Sequence, residues 1–381
     1  MSPPRAWLSG RPQPSRIACG LGCISLLWLA LPLAAAVAQE QPVPQEQPVT
    51  APPATAPPST APPITALAWA PDGRSVVVGS QLGLRLLSVP SLREIPSLRE
   101  VPSLRELARQ SGDASMILSL DFHGDRLLVG GGEPGESGFL AVTGIAAGTD
   151  GKPSGWLPFN STANGFTDFV CAARWSPDGQ RFAAASFDGT AAVWEAAGDG
   201  RGARYRQTLR FEGHSAAVTD VAWLTSDRLA SSSRDATIRV WNPRDGRLIR
   251  TLNQHTQQVI ALAMPHRHED LDGNNTSRPT LPLMASIGDD RTVRFWQPTI
   301  GRLIRFARLS DERPVCHCWT PDGTAVVVGT TAGRLLEIEA ATTKILRAEP
   351  ISDDWITALA IALDRTLLYG TSTGELKLID F

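Results

Sequence analysis

Short runs of alternating hydrophobic and polar residues recur along the chain from residue 64 onward. The clearest copies read ITALAWAPDG at 64, VCAARWSPDG at 170, VTDVAWLTSD at 218 and VCHCWTPDG at 315. A period of two is typical of β-strands, and Pro-Asp-Gly favours a tight turn. The pattern therefore predicts a strand that opens each repeat and ends in a turn.

Each copy continues with a second and a third apolar run, and most copies have a fourth. Seven such units fit within residues 64–381, at about 45 residues each. Four-stranded antiparallel units at this period are typical of a β-propeller. We therefore predict an all-β, seven-bladed β-propeller of four-stranded antiparallel blades over 64–381. The last blade is left open between three and four strands, because the chain stops at Phe381 after a third run; residues 41–50 are the candidate fourth strand.

The segment GHSAAVTDVAWLTSDRLASSSRDATIRVWN at 213–242 resembles the WD-repeat family. At the positions of that family's structural hydrogen-bond tetrad it has His214, Ser231, Asp235 and Trp241. A second copy has His255, Ser286, Asp290 and Trp296 at these positions. A third copy keeps Asp188 and Trp194 but has Phe166 and Ala184 in place of His and Ser. Buried polar groups of these types must satisfy one another, so we interpret the tetrads as structural and not catalytic.

The resemblance implies a non-enzymatic platform that docks a partner protein and needs no cofactor, and we expect a monomeric disk. The family usually binds through the face that carries the Asp-containing turns. The residues before each tetrad Asp are Phe187, Arg234 and Asp289, whose mixed charge indicates no single ligand class. The alternative is a propeller enzyme or metal-dependent binder that uses the central channel or the loop at 266–275.

The N-terminus matches a secretory signal peptide. Three arginines precede the apolar run CISLLWLALPLAAAVA, which predicts cleavage after Ala38. Residues 39–63 are proline-rich and predict an extended linker. We therefore expect a bacterial exported protein, periplasmic or extracellular, with no membrane insertion after cleavage; an uncleaved anchor is the alternative.

Charge and metal-ligand content narrow the functional classes. The net charge of −2 offers no basic field for nucleic acid. The loop at 266–275 contains candidate metal ligands, although a solvated polar loop is the favoured interpretation; the candidates are His266, His268, Asp270 and Asp272.

The cysteines of the mature chain predict free thiols. Only three remain after signal cleavage, Cys171, Cys316 and Cys318, and an odd number does not indicate a disulfide framework. Cys316 and Cys318 share one face of a predicted strand about 6.6 Å apart, which is too far for a mutual bridge.

A hexapeptide occurs three times in VPSLREIPSLREVPSLRE at 89–106. Its prolines recur every six residues, which excludes an α-helix. We interpret it as an insertion at the propeller rim, with one copy supplying an outer strand, since connections there tolerate added length. A polyproline stripe for a partner is the alternative.

Overall fold

The computed structural model describes residues 61–94, 116–147, 153–156, 160–161, 165–197, 204–265 and 283–381. Within these ranges the chain forms β-strands and connecting turns, with no helix. The predicted signal peptide at 1–38, the segment 41–50 and the loop at 266–275 lie outside the described residues. The fold is the predicted all-β propeller of seven blades.

The strands follow one another in antiparallel order within each blade. Blades 1 and 2 comprise β1 (Ile64–Trp69), β2 (Ser75–Ser80), β3 (Gly83–Ser88), β4 (Arg93–Glu94), β5 (Met116–His123), β6 (Arg126–Glu133), β7 (Ser137–Ala147), β8 (Pro153–Trp156) and β9 (Asn160–Ser161). Blades 3 and 4 comprise β10 (Val170–Trp175), β11 (Arg181–Ser186), β12 (Ala191–Ala197), β13 (Arg204–Phe211), β14 (Val218–Thr225), β15 (Arg228–Ser233), β16 (Ile238–Trp241) and β17 (Leu248–Leu252).

Blades 5, 6 and 7 comprise β18 (Val259–Ala263), β19 (Met284–Gly288), β20 (Thr292–Gln297), β21 (Arg302–Arg308), β22 (Pro314–Trp319), β23 (Ala325–Thr330), β24 (Arg334–Glu339), β25 (Ile345–Pro350), β26 (Ile356–Ile361), β27 (Thr366–Thr371) and β28 (Leu376–Asp380). Blade 7 thus has three strands within the described residues. Blade 2 has five, because β9 pairs with β7 alongside the four-strand path.

The first hexapeptide copy supplies the outer strand of blade 1. Its Arg93 pairs with Ser88 and its Glu94 with Leu87. The other two copies, at 95–106, lie outside the described residues. One copy therefore serves as a strand, as the rim-insertion interpretation expects.

The hydrophobic core lies between neighbouring blades, because both faces of each second strand are buried. β2, β11 and β23 are buried at every position. Close approach requires glycine where blades meet: a Cβ on Gly370 of blade 7 would lie 2.4 Å from a methyl of Ile64 in blade 1. Alanine at 370 would therefore push blades 7 and 1 apart.

Blades 1 and 7 also meet through hydrogen bonds that recur around the ring. The Thr357 hydroxyl donates to the Ile64 carbonyl at 2.6 Å, as Thr219 of blade 4 donates to Val259 of blade 5 at 2.7 Å. The Trp69 indole donates to the Ala360 carbonyl at 3.2 Å. The two ends of the propeller are therefore joined by the threonine bond that also joins blades 4 and 5 and by an indole bond that also joins blades 3 and 4.

We predict that Thr357→Val lowers the free energy of unfolding by about 1 kcal/mol, because it leaves the Ile64 carbonyl without this donor at nearly constant volume. Thr219→Val is the matched control and should cost about the same. Chemical denaturation of both variants checks this. A loss in Thr219→Val with none in Thr357→Val would mean that the blade 1–blade 7 contact does not contribute to stability in solution.

Candidate functional site

The predicted tetrad of blade 4 forms one hydrogen-bonded chain. The Trp241 indole donates to Ser231 Oγ at 2.8 Å, and His214 Nε2 lies 2.8 Å from the same oxygen. His214 Nδ1 lies 2.8 Å from Asp235 Oδ2. The backbone N–H of Ser215 also donates to Asp235, so the chain fastens the connection before the blade to the turn between its second and third strands.

The tetrad of blade 5 has the same geometry. Trp296 donates to Ser286 Oγ at 2.8 Å, and His255 lies 2.8 Å from Ser286 and 2.9 Å from Asp290. Arg294 adds an ion pair to Asp290 at 3.1 Å. Burial lowers the pKa of His255, although its hydrogen bond to Asp290 opposes the shift. The imidazole is therefore neutral at pH 7.

Ser, His and Asp connected in this order resemble the catalytic triad of serine hydrolases. In blade 4, however, Ser231 is wholly buried, and the His214 and Asp235 side chains are 2% and 6% exposed. Burial acts to raise the pKa of Asp235, but the hydrogen bonds from His214 and Thr237 outweigh it and hold the pKa well below its usual range. No substrate can reach the hydroxyl, so the arrangement acts as a structural clamp.

Blade 3 has the acid and the indole but not the chain between them. Asp188 pairs with Arg210 at 3.0 Å. The Trp194 indole N–H is buried and makes no hydrogen bond to the described residues, and its ring packs edge-on against Phe166 at 5.7 Å. The structure therefore does not link Asp188 to Trp194.

Phe187, Arg234 and Asp289 lie on the face that carries the turns between second and third strands, which we call the upper face. The Arg234 guanidinium lies over the Phe187 ring at 5.3 Å and its Nε donates to Gln258 at 2.8 Å. Gln258 donates to Asp289 at 2.6 Å, and Arg313 Nε donates to Asp289 at 3.1 Å. These five residues form a continuous row over blades 3 to 6, which we call the upper-face ladder.

Sequence reasoning missed two members of the ladder. Gln258 and Arg313 each lie just before the first strand of a blade, at the level of the turn residues. The Asp289 N–H donates to the Gln258 carbonyl at 3.0 Å, and Thr331 donates to the Arg313 carbonyl at 3.0 Å. The available signal was positional: the residue preceding each first strand is brought beside the turn that follows the second strand.

Polar side chains of the first strands also meet near the central channel. Asp121 accepts from the Trp175 N–H at 2.6 Å, and Asp220 accepts from the Leu262 N–H at 2.9 Å. Arg174 donates to Ser119 at 2.8 Å and lies 3.7 Å from Asp220. Burial raises the pKa of Asp121 to about 6, with Arg174 opposing the shift. The two aspartates bind backbone N–H groups of the next blade, and Arg174 contacts side chains of the blades on either side, so these groups hold the inner strands together.

The described part of the chain contains no group of three or more His, Cys, Asp or Glu side chains arranged to hold a metal ion. The metal candidates His266, His268, Asp270 and Asp272 fall outside it. Nor does any helix in the described ranges have the length and apolar character needed to cross a membrane.

The three cysteines Cys171, Cys316 and Cys318 are free thiols. Cys171 donates to the Val218 carbonyl at 2.9 Å, as the threonine hydroxyls do in other blades. Burial raises the pKa of Cys318 to about 12, which keeps this thiol protonated and unreactive at pH 7.

His317 lies between two of these cysteines in β22 and is half-buried, with both ring nitrogens shielded from solvent. Neither ring nitrogen makes a hydrogen bond to the described residues. Burial lowers its pKa from a usual 6.5 to about 4, and the Ala285 backbone offsets only part of that shift. Leucine occupies the matching strand position in blades 1 and 7, at Leu67 and Leu359.

We predict that the blade 4 tetrad acts as one unit. Asp235→Ala and Ser231→Ala should each lower the free energy of unfolding by about 1–3 kcal/mol, because each leaves His214 with an unmet hydrogen bond in a buried site. The double variant should lose at least about 0.5 kcal/mol less than the sum. The control pairs Asp235→Ala with Ser286→Ala of blade 5, whose losses should add. Additive losses within blade 4, measured by chemical denaturation, would contradict a shared network.

We predict that His317→Leu raises stability at pH 7 by about 1–3 kcal/mol, because it removes solvent-shielded ring nitrogens that make no well-formed hydrogen bond. It should also reduce acid sensitivity. Since the pKa of His317 is lower in the folded state, the unfolded state binds more protons between pH 6.5 and 4. The free energy of unfolding of the wild type therefore decreases as the pH is lowered through this range. Asp121, whose pKa is raised to about 6, has the opposite effect: its contribution to the free energy of unfolding increases as the pH is lowered below 6. Urea unfolding at pH 7 and near pH 4.5 checks this; parallel pH slopes for wild type and variant would contradict it.

Part of the repeated region matches a known family model. Three segments, 159–195, 205–242 and 246–297, match the family model "WD domain, G-beta repeat". The chain is 26% identical over 266 residues to "Cell division cycle 20.1, cofactor of APC complex" of Arabidopsis thaliana, covering 61% of this chain and 53% of that protein. It is 32% identical over 124 residues to "THO complex subunit 3" of the same plant, covering 31% and 35%. The chain thus spans about one third to one half of these relatives' lengths.

Solved structures agree on the fold. The WD40 beta propeller domain of Doa1 superposes with a TM-score of 0.62 at 15% identity, covering 83% of this chain and 92% of that one. The computationally designed Ika8 protein superposes with a TM-score of 0.57 at 20% identity, covering 84% and 83%. The named relatives are eukaryotic, so the expectation of a bacterial exported type gains no support from them. The chain thus contains three segments that match WD repeats, and its described residues form a seven-bladed β-propeller.

Proposed function

We propose that this protein is a non-enzymatic scaffold that docks a partner protein on its upper face. The observation that carries the proposal is the upper-face ladder, in which side chains from four consecutive blades are fixed by mutual contacts. Arginine and aromatic residues are the types that most often dominate binding energy at protein interfaces. Side chains already held in place lose little conformational entropy on binding, which favours affinity.

A non-enzymatic role agrees with the chemistry of the described residues. In both complete tetrads each imidazole nitrogen already faces a serine or an aspartate. The pKa values of the Cys316 and Cys318 thiols are raised, so both thiols are protonated at pH 7. Relatives support the same class of role, since their names describe a cofactor of one complex and a subunit of another.

Export of the protein remains part of the proposal. The arginine-rich start, the apolar run and the small residues ending at Ala38 support a secretory signal. On this basis the partner is proposed to be a periplasmic or extracellular protein.

We predict that the wild-type protein, used as bait for affinity capture from the native source, retains a partner protein. The variants Phe187→Ala and Arg234→Ala should each bind this partner at least about tenfold more weakly, a loss of about 1.4 kcal/mol. Arg250→Ala is the matched control, since Arg250 is an exposed arginine of outer strand β17 that donates to the Thr299 carbonyl. Mass spectrometry identifies and quantifies the retained protein, and unchanged melting temperatures verify that the variants are folded. Equal retention by wild type and both ladder variants would contradict docking on this face.

A further inference from the structure

Three consecutive blades carry one short sequence at the end opposite the upper face, where the third strand turns into the fourth. Blade 4 reads GRLIR at 246–250, blade 5 repeats GRLIR at 301–305 and blade 6 reads TKILR at 343–347. In each blade the two strands pair with a β-bulge at the same point, so that one apolar residue of the segment has no cross-strand partner; these residues are Ile249, Ile304 and Leu346. The three segments are therefore equivalent in structure as well as similar in sequence.

Each segment has a cation on either side of its two apolar residues. The first cation is exposed, and its side chain makes no hydrogen bond or ion pair with any described residue; these cations are Arg247, Arg302 and Lys344. The second cations are partly engaged: Arg250 donates to the Thr299 carbonyl at 3.1 Å, and Arg347 pairs with Glu349 at 2.7 Å. One exposed cation therefore lies at the same position in each of three neighbouring blades.

Apolar side chains beside these cations are exposed as well. Four of them are 40% to 51% exposed; they are Leu248, Ile300, Ile345 and Leu346. A single exposed leucine on a protein surface is ordinary. Here, however, exposed apolar residues recur at the same turn of three consecutive blades.

Blade 3 shows that the fold does not require these apolar residues. It has the same bulge, but Gln207 and Thr208 stand where blades 4 and 5 have leucine and isoleucine. A polar bulge therefore satisfies the structure, and the apolar residues of blades 4 to 6 are available for another purpose.

The segments of blades 4 and 5 touch each other. A Cβ on Gly301, at the start of the blade 5 segment, would lie 3.0 Å from Cδ of Arg250. Together with the bond from Arg250 to Thr299, this contact joins the two segments into one surface. The blade 6 segment lies one blade further along the same side of the ring. We use the name basic rim for residues 246–250, 300–305 and 343–347.

The charge of the basic rim has one sign. Its three segments contain six arginine or lysine residues and no acid, in a chain whose net charge is −2. Asp245 precedes the blade 4 segment and is exposed. In nearby turns between first and second strands, Asp227 and Asp322 pair with Arg228 and Arg365 at 2.9 and 3.6 Å. The basic rim therefore favours an anionic partner.

We propose that the basic rim binds the surface of an anionic lipid bilayer, without insertion of the chain into the hydrocarbon core. Its cations attract negatively charged headgroups. The exposed leucine and isoleucine side chains enter the boundary between headgroups and acyl chains, as apolar residues of peripheral membrane proteins do. Binding there leaves the upper face accessible, because the upper face lies at the other end of the third strands.

A bilayer fits the basic rim better than an acidic protein segment does. A bound peptide needs a continuous groove for its side chains or a strand edge for its backbone. The apolar residues of the rim lie instead on the outer strands and turns of three separate blades, and a bulge makes the edge of an outer strand a poor template for a further strand. A bilayer requires only that cations and apolar side chains protrude together. Export, which is proposed above, would bring the propeller to a membrane surface.

The first test measures co-sedimentation of the mature protein with vesicles of equal parts phosphatidylglycerol and phosphatidylcholine. Wild type should bind these vesicles and not vesicles of phosphatidylcholine alone. The double variant Arg247→Gln/Arg302→Gln should lower the partition coefficient at least about tenfold, because both arginines approach the headgroups. Arg74→Gln/Arg206→Gln is the matched control and should bind as wild type does. It removes the same charge from exposed positions outside the rim, and Arg206 occupies in blade 3 the position of Arg247.

A second pair of variants tests the apolar residues. Leu346→Ser should lower the partition coefficient at least about threefold, whereas Leu82→Ser, which changes a more exposed leucine of blade 1, should not. Phe187→Ala of the upper-face ladder should also bind vesicles as wild type does, so failure of docking and failure of membrane binding can be told apart. Melting temperatures verify folding of every variant, and Arg302→Gln alone serves if the double variant is unstable.

Equal weakening by both double variants would overturn the proposal, because binding would then follow net charge alone. So would absence of binding to the anionic vesicles, or unchanged binding by Leu346→Ser. If a glutamate peptide binds the basic rim and the vesicles do not, the occupant of this surface is an acidic protein segment and not a bilayer.

Discussion

The first strand of each blade has an inner edge that no strand of its own sheet can pair, and the ring depends on how neighbouring blades satisfy it. Buried backbone groups need partners. Asp121 accepts from the Trp175 N–H, Thr219 donates to the Val259 carbonyl and the Trp319 indole donates to Ala263 at 3.0 Å. Each bond joins two blades, so satisfying an inner edge also fixes the spacing between sheets. The small side chains of the blade contacts follow from that spacing, as Gly370 against Ile64 illustrates.

Because the inner strands make the contacts that hold the blades together, the residues of the upper face can vary. In blades 3, 4 and 5 the residue before the tetrad aspartate is positioned by a backbone bond, from Phe187 to Phe169, from Arg234 to Ala217 and from Asp289 to Gln258. The backbone therefore fixes where each side chain starts, whatever its chemistry. An aromatic ring, a cation and an acid can occupy equivalent sites without disturbing the fold. Binding chemistry can change there while the inner strands stay as they are.

Local pattern predicted the strands and the tetrads well, because both depend on spacing within one repeat. Ser231, Asp235 and Trp241 lie four and six residues apart and meet within blade 4. Contacts between blades were not predictable in this way. The partner of Asp289 is Arg313, 24 residues later in the next blade, and nothing in the sequence of either turn indicates the pair. The charge pairing of the upper face could therefore not be predicted from the sequence.

Blade 3 separates two roles that the complete tetrads combine. Asp188 accepts from the Thr167 and Thr190 N–H groups, the same backbone bonds that Asp235 and Asp290 make in their blades. It does so although Phe166 and Ala184 have replaced the imidazole and the hydroxyl. Replacing both the His and the Ser removes their mutual hydrogen bond without leaving either one unsatisfied, although the Trp194 indole N–H loses the acceptor that serine provides in blades 4 and 5. The aspartate is thus what holds the loop, and the His–Ser–Trp chain is one of two ways to fill the space beneath it.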